Sequence, residues 1–241
     1  MGLALYLFLA IRSIEIDPER IAQGVTRGSR IFSSFLHPDF TSRWSDIQSG
    51  LLESLTMTVV ATVIGSVISI PIGFGAARNF APLPLYLLCR VIITLSRTFQ
   101  DVIIAILFVV MVGFGPLAGV LTLSFTTIGF LAKLLAEDIE EIDPAQVEAV
   151  RVTGANGFQV MDYGILPQIL PRLVGLVTYR FDINLRESAI VGVVGAGGIG
   201  STLQTAFNRY EFETAGAILI VIVALVMVIE LVSGVIRQQL Q

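Results

Sequence analysis

The stretch Glu148–Pro167, EAVRVTGANGFQVMDYGILP, separates two long apolar regions and is itself polar, glycine-punctuated and helical in pattern. Just before it, Asp143-Pro144-Ala145-Gln146 reads as a helix start. Asp143 can accept from the orphan N–H groups of the first turn, Pro144 suits the first helical position, and Gln146 is placed to complete a capping-box-like arrangement. The helix is expected to run to about Thr153, where Gly154 supplies the left-handed residue that ends helices. Asn156 is placed to cap a second short helix, with Pro167 and Pro171 expected to mark its exit. An elbow of two helices about a glycine, spanning about residues 143–171 between membrane segments, needs something to dock against. The plainer reading is an amphipathic surface elbow.

Composition places the rest of the chain in a membrane. Of 241 residues, 54% are hydrophobic and 14% charged, with a mean hydropathy of +0.83, whereas a soluble domain carries roughly a quarter charged residues. The single Cys89 excludes an internal disulfide framework, and one histidine, His37, cannot build a metal or catalytic cluster alone. A net charge of −4 gives no general basic character for nucleic acid. No cleavable signal peptide is evident, because Met1–Ile11 lacks a basic start and a small-residue cleavage site.

Taken in order, Met1–Ile11 is shorter than the roughly 20 residues a span requires and is expected to be the end of a first spanning helix. Arg12–Gly50 mixes arginines with acids and reads as an extramembrane segment containing an interfacial helix, with Trp44 as an interfacial anchor. Residues 1–50 are accordingly set apart from a membrane domain over 51–241. Between Glu53 and Arg78 lie 24 uncharged residues, with threonines, serines and Gly65 offering small faces for helix packing and Pro71 expected to kink the span. Leu83–Val112 is expected to be one span, closed by the hairpin break Gly113-Phe114-Gly115-Pro116. Leu117–Ala136, Leu173–Val194 and Thr214–Ile236 follow. The expectation is an all-α, polytopic membrane helical bundle of about six spans, one of them partial.

Two spans carry charge in their middles. Arg97 and Asp101 are four apart, as are Asp182 and Arg186, and each pair is expected on one helical face. Arg180, Asn184 and Glu187 extend the second cluster. Ionisable groups at membrane depth face the bundle interior or a watery pathway. Two readings stand side by side: structural ion pairs that fix helix packing, and arginines that pass an anion, since a guanidinium fork matches phosphate-like oxygens.

Gly195-Ala196-Gly197-Gly198-Ile199-Gly200 fits the G-x-G-x-x-G dinucleotide pattern, but it follows a membrane helix, and Glu211 and Glu213 come too early for the acidic partner. Gly195, Gly197 and Gly198 are better read as a broken-helix or turn segment near the external end, giving tight backbone packing or a gate hinge. There is no G-x-x-x-x-G-K-[ST] segment, and the only lysine is Lys133, so this chain has no such ATP site. G-x-S-x-G and H-E-x-x-H are absent too.

Glu148-Ala149-Val150, then Gly154-Ala155, then Ile165-Leu166-Pro167, resemble the EAA loop of the permease subunits of ABC importers, with Val150 where that family usually has alanine. The resemblance runs from about Glu53 to the C-terminus and implies a type I ABC importer-like transmembrane domain. It implies that Glu148, Ala149, Val150, Gly154 and Ala155 form a cytoplasmic coupling helix seated in a cleft of a separate ATPase subunit. ATP and Mg would be held by that subunit and no cofactor by this chain. It also implies the bacterial cytoplasmic (inner) membrane, an extracytoplasmic substrate-binding protein, a second copy of the chain as a homodimer, and an external position for Arg12–Gly50.

Tyr179–Arg186 followed by Val193–Gly200, with Glu140-Glu141-Ile142-Asp143 before the elbow, is most similar to the phosphonate-type branch, which carries phosphonate, phosphite or related phosphorus oxyanions. The methionine-type branch shares a similar glycine segment and is the nearest alternative. Outside this family, a secondary transporter relaying protons through Asp101, Asp182 and Glu187 is a further reading, as is a structural membrane subunit.

Overall fold

In the computed structural model, which describes Tyr6 and residues 18–240, the chain is helical throughout, with no strand among the described residues. The expected partial span at Met1–Ile11 lies, Tyr6 apart, outside them. The first element, α1 (Pro18–Phe35), is amphipathic and leads through a short loop to α2 (Trp44–Ala76). α2 begins well before the uncharged stretch. Trp44 and Glu53 therefore both lie within the helix, and Pro71 sits in its last two turns without ending it.

The expected single span Leu83–Val112 is instead two helices, α3 (Leu83–Thr98) and α4 (Asp101–Val112), bent by 95° at Phe99-Gln100. Both linking residues are extended, Phe99 at φ −94°, ψ 141° and Gln100 at φ −71°, ψ 143°. The helix restarts there, with Ile103 and Ile104 donating to the Gln100 carbonyl (2.9 and 3.2 Å) and Asp101 in the first turn, where an acid suits the helix dipole. Gly113 and Gly115, at φ 91° and 135°, then turn the chain into α5 (Pro116–Glu140).

The elbow helix α6 (Pro144–Val152) leads into α7 (Gly157–Ala196), which stays helical through its π turn and both prolines until Gly195, where a φ of 97° leaves the helix. Pro167 and Pro171 do not end this helix, contrary to their expected role. The π turn Met161–Ile165 re-registers the backbone ahead of Pro167, with the Leu166 N–H reaching the Met161 carbonyl. Gln168 Nε2 donates to the Gly164 carbonyl (2.7 Å), which adds a donor in the turn where Pro167 has none. Two more helices, α8 (Gly198–Asn208) and α9 (Phe212–Leu240), complete the chain. Among the described residues four helices are long and apolar enough to cross a membrane, and the bent pair α3–α4 passes the same test of length and composition when taken together.

Small residues bring these helices together. A Cβ on Gly65 would lie 2.5 Å from Thr127, on Gly73 2.8 Å from Leu135, and on Gly129 2.4 Å from Ser96 Oγ. α2 and α5 therefore meet closely at Gly65 and Gly73, and α3 meets α5 at Gly129; such contact is what holds helices where lipid removes the hydrophobic drive. A core of Phe74, Leu135, Ile139, Val147, Val160, Ile165 and Ile169 packs the elbow against the ends of α2 and α5. Ala61, Ala105, Val109, Ala118, Leu123, Val191 and Ala196 fill the bundle between α4, α5 and α7.

The tightest approach is at Gly200, where an added Cβ would stand 2.0 Å from the Ala189 carbonyl oxygen, a backbone atom that cannot rotate away. Gly200→Val is expected to lower the thermal midpoint of the purified chain by several degrees, since overpacking typically costs about 1–3 kcal/mol. Gly24→Ala, with nothing within 4 Å of the new carbon, is expected to leave that midpoint unchanged or raise it. Fluorescence-detected size exclusion after heating checks both.

Candidate functional site

A charged layer sits in the middle of the bundle, carried by α7. Arg180, Asn184 and Glu187 recur at i, i+4 and i+7 and so share one face of that helix. Arg180 is buried; its guanidinium donates to Thr126 Oγ1 (2.7 Å) and Thr127 Oγ1 (3.1 Å), pairs with Glu187 (3.0 Å) and lies 5.4 Å over the Phe130 ring. Asn184 is fully buried, and its Nδ2 donates to Thr62 Oγ1 and Thr127 Oγ1, both at 2.9 Å. One polar face of α7 thus pins α2 and α5 together through hydroxyls that the sequence displays only as scattered threonines. On another face Asp182 is buried and takes the Arg186 guanidinium through Oδ2. The side chain of Arg186 remains 45% exposed.

Arg97 and Asp101 do not share a helical face. The bend at Phe99-Gln100 redirects Asp101, so a spacing of four no longer brings the side chains together, and no ion pair joins them among the described residues. Asp101 instead meets Glu187, which joins α4 to the α7 layer. Arg97 is exposed and makes no ion pair among the described residues, while its stem packs beside Gly129 on α5. Arg97 and Arg180 therefore flank neighbouring turns of α5, at Gly129 and at Thr126–Phe130, near the midpoint of that helix. A signal for the bend existed in the run Ser96-Arg97-Thr98-Phe99-Gln100-Asp101, whose polar residues favour caps over helix interiors.

At the far end of α7 the glycine segment is a break in the helix. Gly195, Gly197 and Gly198 take φ values of 97°, 80° and 70°. The Gly115 N–H donates to the Gly195 carbonyl (3.0 Å), and Phe114 stands where a Cβ on Gly195 would be. The two glycine-rich breaks thus interlock. Glu53 Oε2 accepts from the Gly198 N–H and Ser54 Oγ from the Ile199 N–H, both at 3.0 Å, and together they cap α8. Sequence reasoning missed these caps, because Glu53 was read as the edge of the uncharged stretch.

At the opposite end, Asp143 accepts from the Ala145 N–H (2.9 Å), as its position before Pro144 requires. The Asp143 N–H, however, is taken by Gln168 Oε1 (3.0 Å) from α7 and not by Gln146, so the reciprocal half of the cap ties the elbow to the long helix. Gly154 is left-handed at φ 82°. Asn156 and Gln159 form a full capping box. Val147 is buried in the core, which leaves Glu148 and Ala149 facing outward. Ala149, Val150, Gly154, Ala155 and Tyr163 line a shallow surface groove. Around it stand large side chains that the sequence did not single out: Val152 and Phe158 are each 87% exposed and Tyr163 71%. Arg172 on α7 pairs with Asp138 (3.1 Å) and Glu141 (3.5 Å), binding this end to α5.

The family model described as "Binding-protein-dependent transport system inner membrane component" matches residues 69–241. The "Phosphate-import permease protein PhnE" of Mycolicibacterium smegmatis is 42% identical over 94% of this chain, which spans only 43% of that protein's length. The "Phosphite transport system permease protein PtxC" of Stutzerimonas stutzeri is 38% identical over 92% of this chain and 81% of its own. Among solved structures, an inward-facing conformation of the MetNI methionine ABC transporter superposes with a TM-score of 0.72, at 26% identity, covering 83% of this chain and 100% of the matched one.

The two arginines at mid-bundle should separate by experiment. Arg180→Met strands Glu187 in the interior, a loss of about 3–5 kcal/mol for a broken buried pair, and is expected to collapse the thermal midpoint of the purified chain. Arg97→Gln breaks no contact of this kind and is expected to leave the midpoint within about a degree, as exposed substitutions usually do. Equal destabilisation by both would contradict the assignment.

Proposed function

The chain belongs to the family of binding-protein-dependent transport system inner membrane components, and we propose that it forms the translocation pathway of an ATP-driven importer for phosphonate, phosphite or a related phosphorus oxyanion. The observation that carries the cargo reading is the pair of exposed cations at membrane depth, Arg97 and Arg186, beside a layer whose other charges are held by partners. A guanidinium offers two parallel N–H donors matched to a tetrahedral oxyanion. Arg186 is also held by Asp182, and such shared, exchangeable contact suits a pathway that must release what it binds. The 38–42% identity to permeases named for phosphate and phosphite supports this cargo class over the methionine-type alternative.

The chain holds the pathway, and a separate ATPase subunit hydrolyses ATP with its Mg. Glu148, Ala149, Val150, Gly154 and Ala155 present the elbow to that subunit, with Phe158 and Tyr163 as apolar knobs beside them. Two copies of the chain enclose the pathway, and an external binding protein delivers cargo at the glycine-break end. α7 runs from the elbow through the charged layer to the break, so displacement of the elbow reaches Arg186 and Gly195 along one helix. In this scheme Asp101, Asp182, Arg180, Asn184 and Glu187 hold the layer in shape, and Gly195, Gly197 and Gly198 form the gate hinge.

Vesicles holding this chain, its ATPase and its binding protein are expected to take up labelled methylphosphonate when supplied with ATP. Unlabelled phosphite should compete and methionine should not. Arg97→Gln or Arg186→Gln is expected to cut uptake by about ten- to a hundredfold with the complex still assembled, as loss of ~1.5–3 kcal/mol of charged hydrogen bonding implies. Uptake of labelled methionine without uptake of the phosphonate would overturn the cargo assignment.

A further inference from the structure

α1 contributes nothing to the charged layer or to the elbow, yet it carries a stripe of large apolar side chains open to the surroundings. Ile21, Val25, Phe32 and Leu36 are 55%, 68%, 67% and 67% exposed. A spacing of four and seven residues keeps Ile21, Val25 and Phe32 on one side of a helix that turns about 100° per residue, and Leu36 follows in the turn just past its end. Arg20, Gln23 and Arg27 fall on the other side, and the helix as a whole holds three arginines against one glutamate. A helix with one apolar stripe, modest overall apolarity and basic residues opposite is built to lie in a membrane interface rather than to cross it.

The position of α1 identifies the occupant of the stripe. Its last turn is packed: Phe35 stands against Gly216, where an added Cβ would be 2.9 Å from the Phe35 Cα, and its ring meets Phe207 edge-on at 6.3 Å. Gly216 lies in the first turns of α9, at the glycine-break end of the bundle. Below it, Val223, Met227 and Leu231 on α9 are exposed at 58%, 59% and 70%, on a span whose outer face meets acyl chains. The stripe is therefore continuous with the lipid-facing belt. Trp44, 45% exposed and placed where the chain enters α2, is a side chain that favours the same boundary.

We propose that α1 lies in the headgroup region at the glycine-break end, with Ile21, Val25 and Phe32 in the acyl boundary and Arg20 and Arg27 on anionic phospholipid headgroups. The occupant is the bilayer, because the cations match anionic headgroups and the apolar stripe extends an existing lipid contact. The inference does not depend on the cargo.

The test uses the full chain in lipid nanodiscs. Trp44 is the only tryptophan, so Trp44→Phe gives a silent background for Val25→Trp and for Gln23→Trp. With brominated acyl chains, Val25→Trp fluorescence is expected to fall about twofold or more, as for a side chain seated in the acyl boundary, while Gln23→Trp is unaffected. Arg20→Gln with Arg27→Gln is expected to lower the amount of phosphatidylglycerol retained over phosphatidylcholine. Absence of quenching at residue 25 would overturn the proposal, and Val25→Cys cross-linking would then show whether a second copy or the residues before α1 cover the stripe. Quenching with unchanged lipid retention would overturn the headgroup assignment of the arginines.

Discussion

A charge buried in hydrocarbon must be answered by an opposite charge, by hydrogen bonds or by water, and the middle of this bundle is organised by that constraint. Arg180 is the hub. Its guanidinium is held by Glu187, Thr126 and Thr127 and covered by Phe130, so desolvation is offset on every side available to it. Asn184 then uses Thr127 and Thr62 to bring α5 and α2 against the same face of α7. Because the hydroxyls are short, the helices must come close, which is what the contact of Gly65 with Thr127 allows between α2 and α5. The same constraint sets Arg97 and Arg186 apart. An exposed guanidinium at this depth needs a partner or water, and an anion pathway supplies both.

The second organising feature is the long run of α7, helical from Gly157 until the kink at Gly195. Forty residues of helix from Gly157 to Ala196 measure about 60 Å at 1.5 Å per residue. At one end Arg172 and Gln168 fasten it to α5 and to the elbow; at the other it stops in left-handed glycines interlocked with the α4–α5 turn. Irregular backbone is thus found at the two ends of the helix, with continuous helix between. The cap that Glu53 and Ser54 place on α8 ties the far end to α2 as well.

Much of this was legible in the residues. The elbow could be read because caps and left-handed glycines are local devices, and Asp143, Gly154 and Asn156 behave as their chemistry dictates. The α7 polar face could be read because a period of 3.6 holds wherever the helix is continuous. What failed was what local rules cannot carry across a change of direction. The α3–α4 bend turned a spacing of four into two unrelated side chains at Arg97 and Asp101. Pro167 and Pro171 looked like terminators because the π turn and the Gln168 side chain that accommodate them lie in the tertiary structure. The exposure of Phe158 and Tyr163, and the donors that Glu53 and Ser54 answer, depend on neighbours distant in the sequence.

The central claim is that one continuous helix couples the elbow to the charged layer, and Gly175 gives the most direct test of it. Nothing lies within 4 Å of a side chain added there, so a substitution acts on the helix and not on its packing. In the assembled importer, Gly175→Pro removes one helical hydrogen bond and kinks α7 between elbow and arginines. The account predicts ATP hydrolysis retained with uptake lost, and uptake intact in Gly175→Ala. Normal uptake in the proline variant, with assembly confirmed, would contradict it.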